Sequence, residues 1–418
     1  MRPMKSSGIE WIRDIPSHWK VMPNKYLMYK SKQICPVYHG EDILSLTMNG
    51  VIVRDLDAGG KMPASFDGYQ KVYPGNLLMC LFDIDVTPRC VGLIKQEGVT
   101  SPAYSQFVLR DGADASYYSY YYTMLDNDKT LLHLAKNLRH SLTEDQLGTV
   151  PTVVPPVHEQ KAIAAFLDNK CEQVNEIIQD IQDQISKLEA YKRSVIIETV
   201  INGRNPASET KDSGIEYVGQ IPRHWIMHPL YYYFAERKHK NTLGKEDNLL
   251  SLSYGKIIQK DINTSDGLLP ASFNTYNIIE PGDIIIRPTD LQNDKRSLRT
   301  GLSNQHGIIT SAYIALMPKK ELNVGYFHYL LHAFDVMKVF YNMGNGVRQG
   351  LNFSEFSRLM VLEPPIDEQN DIVEFLNGKC EEIDLAIAEK NQQLLVLDNY
   401  KKSLIFEYVT GKKEVPSA

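Results

Sequence analysis

The chain has 418 residues, 43% of them hydrophobic and 23% charged, with a formal net charge of −6. At roughly 100–200 residues per domain, this length predicts two to four domains with ample apolar material for separate cores. No window approaches ~18 uninterrupted apolar residues, which argues against a helical membrane span. No apolar stretch stands behind residues 1–7, so no secretory leader is expected and a cytoplasmic location is.

The sequence says nearly the same thing twice. Ser7-Gly8-Ile9-Glu10-Trp11 and Ile15-Pro16-Ser17-His18-Trp19 return as Ser213-Gly214-Ile215-Glu216-Tyr217 and Ile221-Pro222-Arg223-His224-Trp225. Each copy therefore opens with a turn-rich arm carrying Pro, His and Trp. Short strand-like runs follow. Ile43-Leu44-Ser45-Leu46-Thr47 matches Leu249-Leu250-Ser251-Leu252-Ser253, and Pro63-Ala64-Ser65-Phe66 matches Pro270-Ala271-Ser272-Phe273. Pro74-Gly75-Asn76-Leu77-Leu78 matches Pro281-Gly282-Asp283-Ile284-Ile285; a Pro-Gly step before an apolar run reads as a turn feeding a strand. Ser101-Pro102-Ala103-Tyr104 matches Thr310-Ser311-Ala312-Tyr313, with another strand expected after it. An aromatic, helical stretch comes next, Tyr117, Tyr118, Tyr121 and Tyr122 against Tyr326, Phe327, Tyr329 and Leu330. Each copy thus mixes strands and helices within ~150 residues, an α+β or mixed α/β unit.

Then the pattern changes. Pro155-Pro156-Val157-His158-Glu159-Gln160 and Pro364-Pro365-Ile366-Asp367-Glu368-Gln369 each introduce apolar positions that alternate three and four apart. In the first copy these are Ile163, Leu167, Cys171, Val174, Ile178, Ile181, Ile185, Leu188 and Val195. In the second they are Ile372, Leu376, Cys380, Ile383, Ile387, Leu394, Leu397, Leu404 and Tyr408. A spacing of 3.5 over about five heptads predicts a coiled-coil seam, with Lys192, Lys390 and Lys401 interrupting it. Each helix would run ~40 residues, or roughly 60 Å. Glu159 and Glu368 suit the positive end of the helix dipole, and Gly203 and Gly411 mark the stops. A stripe of this kind needs a partner, and the simplest partner for each helix is the other. The expected fold is therefore α+β, with two similar mixed α/β globes separated by two long antiparallel coiled-coil helices about a pseudo-two-fold axis. The boundaries are residues 1–154, first globe; 155–205, first helix; 206–363, second globe; and 364–418, second helix.

Charge is uneven. Residues 1–150 balance 16 basic against 16 acidic side chains, whereas residues 361–418 hold 6 against 12. The globes are neutral to slightly basic, which permits a local basic groove. The five cysteines, at 35, 80, 90, 171 and 380, form no Cys-x-x-Cys pair; their number and spacing fit a reducing compartment. The equivalent Cys171 and Cys380 read as small apolar residues in a helix seam.

Catalytic signatures are missing. There is no Gly-x-Gly-x-x-Gly after a strand, no phosphate-binding Gly-x-x-x-x-Gly-Lys-Ser/Thr and no Gly-x-Ser-x-Gly. Asp83 and Asp85 sit in a strand-like run, but the second copy has Ile286-Arg287 there, so a metal site is not expected. His18 and His224 read as structural parts of the arm. Cations are more suggestive. Residues 287–299 gather Arg287, Lys295, Arg296 and Arg299 among amides; the first copy offers Arg89 and Lys95 nearby. Arg139 is matched by Arg348, followed by Gln349. Arg and Lys neutralise phosphates, and Arg, Asn and Gln read base edges in pairs of hydrogen bonds. Solvated surface or a helix end would look alike. Between the copies the arm, the Pro-Gly strand and the Pro-Pro-x-x-Glu-Gln helix are kept, while stretches such as 48–62 against 254–269 have drifted.

In this order, and twice, these features resemble the specificity subunit of type I restriction-modification systems across essentially the whole chain. The resemblance implies two target-recognition domains that bind the halves of a split, asymmetric duplex DNA sequence. It implies antiparallel helices that set the spacer and dock two adenine-N6 methyltransferase (modification) subunits, with Glu159, Gln160, Glu368 and Gln369 assigned to partner binding. Restriction subunits would join them. The chain itself would be non-catalytic and hold no cofactor or metal; S-adenosylmethionine, ATP and Mg would belong to the partners. DNA-facing residues are expected to be Arg89, Lys95, Arg139, Arg287, Lys295, Arg296, Arg299, Arg348 and Gln349. An alternative from another class is a two-headed scaffold that clasps proteins without nucleic acid.

Overall fold

The structure, a computed structural model, describes residues 2–57, 63–135, 140–263, 270, 272–289, 291, 298–343 and 350–416. It divides into two compact units. One is Met1–Ile181 with Asn391–Ala418; the other is Gln182–Lys390. Both divisions fall inside the long helices, so each unit holds one globe, the first half of the helix that follows it and the last half of the other helix.

In the first unit an antiparallel sheet orders the strands Val91–Leu93, Leu77–Met79, Ser105–Leu109 and Met28–Ser31. A smaller sheet joins Gly98–Thr100, Gln70–Val72 and Gln33–Ile34. Two helices complete the globe: α1, Ala115–Asn127, and the single capped turn α2, Glu144–Thr149. The long helix α3 runs Val157–Asn202. In the second unit the corresponding sheet orders Phe234–Glu236, Ile314–Pro318, Ile284–Ile286 and Thr300–Leu302. Its helices are α4, Val324–Val336, and α5, Phe353–Phe356; the long α6 spans Ile366–Val409. The mixed α/β reading and both long helices hold. Two strand-like runs do not. Residues 63–66 are irregular, with Phe66 packed between Tyr38 and Tyr69. Residues 81–85 form a turn with Asp83 at φ +48°, because the chain must reverse there before Val91–Leu93.

α1 and α4 carry the cores. Tyr117, Tyr118, Tyr121 and Tyr122 are all buried, as are Tyr326, Phe327, Leu330 and Leu331. Aromatic side chains at these spacings cover one helix face and bring a large apolar area to the sheet. The heptad stripe serves two surfaces. Its opening positions, Ile163, Leu167 and Cys171 or Ile372, Leu376 and Cys380, join the globular core of their unit. The middle positions, such as Ile178, Ile185, Leu188, Leu394 and Leu397, are half-buried between helices. In the first unit Phe166 packs on Tyr408 at 4.5 Å between ring centroids, and Lys401 Nζ donates to Asn175 Oδ1 at 2.7 Å. In the second, Lys192 bridges Asp384 at 2.7 Å and Lys390 donates to Gln184 at 2.5 Å. Partner numbers fall as helix numbers rise, so the segments pair antiparallel within each unit. The three lysines that interrupt the stripe are its polar cross-links.

The end of each long helix closes the core of the unit opposite in sequence. Leu404, Ile405, Tyr408 and Val409 pack with the first globe; Ile196, Val200 and Ile201 pack with the second. Buried Tyr117 donates its hydroxyl to Val409 O at 2.7 Å, and Tyr326 donates to Val200 O at 3.1 Å. These hydroxyls satisfy carbonyls that a helix end leaves unpaired. Gly411 and Gly203 follow at φ +71° and +70°, the left-handed stop that glycine adopts without penalty. A side chain at Gly411 would also strike Pro16 and Trp19, its Cβ lying 2.6 Å from the proline ring.

Candidate nucleic-acid interface

Pro-Pro-x-x-Glu-Gln proves to be an internal clasp. Glu159 accepts from the indole N–H of Trp19 at 3.0 Å and meets His18 Nε2 at 2.5 Å, with Arg2 at 3.5 Å. Glu368 repeats this with Trp225 at 2.9 Å and His224 at 2.5 Å. Partial burial acts to raise the Glu159 carboxyl, but the bonds from Trp19 and His18 and the nearby charges outweigh it and hold the group below the usual range. Gln160 is wholly buried. It accepts from Asp114 N at 2.7 Å and donates to Pro155 O at 2.8 Å and Gly112 O at 3.1 Å. Gln369 accepts from Asn323 N at 3.0 Å and donates to Pro364 O at 2.8 Å. The expected partner-binding role of Gln160 and Gln369 is therefore corrected: a buried amide already saturated by backbone groups has no face to offer. Glu159 and Glu368 engage the arm through the indole and imidazole, yet their side chains remain 22% and 41% exposed. Trp19 thus ties the start of α3 to the stop after α6, and Trp225 ties the start of α6 to the stop after α3.

Of the expected DNA-facing residues, Arg139, Lys295, Arg296, Arg348 and Gln349 lie outside the described residues. Arg89 and Lys95 line one cleft of the first unit, about 440 Å³ in volume, with Lys401, Lys402, Asp168 and Asp398 on its helical wall and Asn127 beside Arg89. Lys95 is exposed. Arg89 is mostly enclosed and pairs with Asp126 at 3.2 Å and Asn127 at 3.0 Å, so it braces the end of α1. Arg287 is half-exposed. Arg299 must be corrected. It is fully buried, its guanidinium donating to the carbonyl oxygens of Thr289 and Arg287 and its own N–H to Asp335. A guanidinium enclosed against the carbonyls of Arg287 and Thr289 braces that backbone and cannot meet a phosphate. The first copy makes the same backbone bond, from Cys90 N to Asp126 at 2.9 Å, a kept contact that side-chain pattern alone does not signal. Burial pushes the Cys90 thiol up to about 12, so it is inert at neutral pH. Among the described residues no group of three or more His, Cys, Asp and Glu is placed to hold a metal ion, and no helix is long and apolar enough to cross a membrane.

The same cleft is bounded by a ribbon whose first strand lies in the kept run 43–47 and whose tip and second strand lie in the drifted stretch 48–62. Leu44–Thr47 and Gly50–Val53 form a two-stranded antiparallel ribbon, and Leu250–Ser253 with Lys256–Gln259 form its counterpart. Each lies on a glycine of the neighbouring sheet. A Cβ on Gly92 would sit 2.9 Å from both Leu46 and Val51, and one on Gly301 would sit 2.6 Å from Leu252. With one face seated, period-two alternation turns Ser251, Ser253, Lys256 and Ile258 outward. The signal that marks these ribbons is the contrast between kept flanks and exchanged tips, Met48-Asn49 against Tyr254-Gly255.

No family model matches the sequence, and no curated protein does. Solved structures are similar over nearly the whole chain. One is a chain from the structural basis of complex assembly and conformational transition of the type I R-M system. It is 13% identical, covers 96% of this chain and 99% of that one, and has a TM-score of 0.68. The HsdS subunit from Thermoanaerobacter tengcongensis is 13% identical over 96% of this chain and 98% of its own, at a TM-score of 0.47. The type I restriction-modification system S subunit from M. genitalium is 13% identical over 94% and 96%, at 0.36. The fold is thus one found in a type I restriction-modification assembly.

Proposed function

We propose that the chain is the DNA-recognition subunit of a type I restriction-modification complex and does no chemistry of its own. Each unit reads one half of a split, asymmetric duplex target, and the helices dock two adenine-N6 methyltransferase subunits, with restriction subunits joining them. S-adenosylmethionine, ATP and Mg then belong to the partners. The observation that carries this reading is the repeated clasp, identical down to its Trp–Glu bond in two units whose ribbon tips differ. Kept framework with exchanged tips suits two modules that read different sequences; the fold shared with a type I assembly supports the same reading. With Gln160 and Gln369 buried, partner docking falls to exposed apolar side chains on the helices, Leu395, Val396 and Tyr400 in one unit and Leu385 in the other.

Selection of duplexes from a randomised pool by the full chain tests the proposal. Two short half-sites with a constant gap are expected, and affinity should fall with salt at about −0.9 in log–log slope per phosphate contacted. Enrichment of no duplex, or binding insensitive to salt, would favour a protein-only scaffold.

A further inference from the structure

The ribbons have an unexplained property. Tyr254 at the tip of the second is 85% exposed, the most exposed large apolar side chain among the described residues. It also sits at φ +47° in a two-residue turn completed by Gly255 at φ +78°. A turn with both central residues left-handed favours Asn-Gly or Gly-Gly. An aromatic side chain there is strained by the clash of its Cβ with the backbone, and its ring, 85% exposed, gains little packing in return. Strain at an exposed residue that supports nothing in the fold points to use rather than structure.

The surroundings indicate what it meets. The second ribbon, residues 249–260, carries Lys256 and Lys260 and no carboxylate, with Asp261 just beyond it; the first, residues 43–54, carries Arg54 alone, bordered by Asp42 and Asp55. Arg54 N donates to Ile43 O at 2.7 Å and Lys260 N to Leu249 O at 2.8 Å, so each ribbon closes on a cation at the same place. The outward faces present Ile52 and Ile258, both more than a third exposed, between small hydroxyl side chains. A slender cationic ribbon with an apolar, hydroxyl-bearing outer face matches the major groove of duplex DNA. That groove admits a two-stranded β-ribbon, is flanked by phosphates and displays thymine methyls as well as donors and acceptors.

We propose that the second ribbon enters the major groove of one half-site, where Tyr254 touches a base edge, and that Met48 and Asn49 at the first ribbon's tip do the same at the other. This rests on the DNA-recognition reading above and assigns it a specific reading element. Lys256, next to the tip, and Lys260, at the base of the ribbon, serve as phosphate contacts. The two tips differ in turn as well as in side chain: the first has its left-handed residue at Gly50, φ +90°, after Met48-Asn49. The rings and side chains therefore project differently from equivalent ribbons.

The test compares duplexes selected from a randomised pool by the full chain and by Tyr254→Gly, Tyr254→Phe and Met48→Ala. Glycine accepts φ +47° without penalty, so Tyr254→Gly should melt at the same or a higher temperature than the wild type. It should nevertheless lose preference at one position of one half-site and bind the original target about ten-fold more weakly. Tyr254→Phe separates ring from hydroxyl: retention of preference assigns the contact to the ring, and loss assigns it to a hydroxyl hydrogen bond. Met48→Ala should alter only the other half-site. An unchanged consensus with Tyr254→Gly overturns the assignment of the ribbon while leaving DNA recognition standing. A wild-type chain that selects no consensus overturns both.

Discussion

Trp19 and Glu159 lie 140 positions apart, yet the indole N–H of one donates to the carboxylate of the other at 3.0 Å, with the tryptophan fully buried. This bond joins a globe to the first turn of the helix leaving it, and Trp225 and Glu368 repeat it at 2.9 Å. Removing the acceptor leaves a buried donor without a partner, at a cost of roughly 1–3 kcal/mol. Glu159→Ala should destabilise the first unit by about 2 kcal/mol and Glu368→Ala the second, each read by hydrogen exchange in its own unit. Equal loss of protection in both units from either variant would show that the clasp is not local. The lowered carboxyl of Glu159 gives an acid dependence. Its contribution is complete above the ordinary glutamate range and is lost as pH falls through the depressed folded value.

The second unit has an acid sensitivity that the first lacks. His328 and His332 on α4 stand where α1 has Ser119 and Thr123. Burial, with His332 beside it, pushes His328 down to about 3; burial and the charge of Lys192 push His332 down to about 4. The Nε2 of His328 is shut from solvent without a hydrogen-bond partner. The folded state keeps both rings neutral, while the unfolded chain takes up protons near ~6.5. More protons are bound unfolded, so stability falls as pH drops from about 6.5 toward 4, on the order of 1–3 kcal/mol per pH unit. Denaturation followed in the second unit should show this slope, and His328→Ser with His332→Thr should flatten it while lowering stability at neutral pH. A slope that survives both substitutions would place its origin elsewhere.

Glycines set how closely the ribbons approach. Gly301→Ala drives a methyl against the movable side chains of Leu252 and Ile257, the nearer atoms 2.6 and 3.1 Å away, for an expected loss of about 1–3 kcal/mol. Gly307→Ala meets the backbone carbonyl of Asn248, which cannot rotate aside. Thermal melting should rank Gly307→Ala as the more damaging. The reverse order would mean that the sheet yields more readily than the ribbon.

Lys192 and Asp384 form a cross-helix pair where the other unit has Lys401 and Asn175. These groups are solvent-accessible, so exchanging the acceptor should matter little. Asn175→Asp is expected to stabilise the first unit by no more than about 1 kcal/mol, an effect that fades at high salt. A larger, salt-resistant gain in a denaturant titration would contradict this picture of a screened pair.

Helix length offers a direct check on whether the long helices set the gap between half-sites, as the resemblance implies. Seven residues inserted into each long helix preserve the heptad register and add about 10.5 Å. The gap between half-sites should then grow by roughly three base pairs at ~3.4 Å per pair. Selection of the original gap by the lengthened chain would dissociate target spacing from helix length.

Much was legible from the chain alone. Duplication showed that one plan is used twice, the 3.5 spacing showed two long helices that need partners, and Gly203 and Gly411 showed where they stop. These follow from local rules, because periodicity, turn chemistry and the left-handed freedom of glycine act over a few residues. What only the tertiary structure decided is where polar side chains spend their hydrogen bonds. Gln160 and Gln369 look like surface amides and are buried; Arg299 looks like a phosphate contact and is enclosed against the carbonyls of Arg287 and Thr289. An apolar stripe likewise reports that a surface must be covered but not by what: Leu404 and Tyr408 fit the seam spacing and also close the core of the globe at the other end of the sequence. Composition records which groups need partners; only three-dimensional proximity, set by the burial of the aromatic cores, selects them.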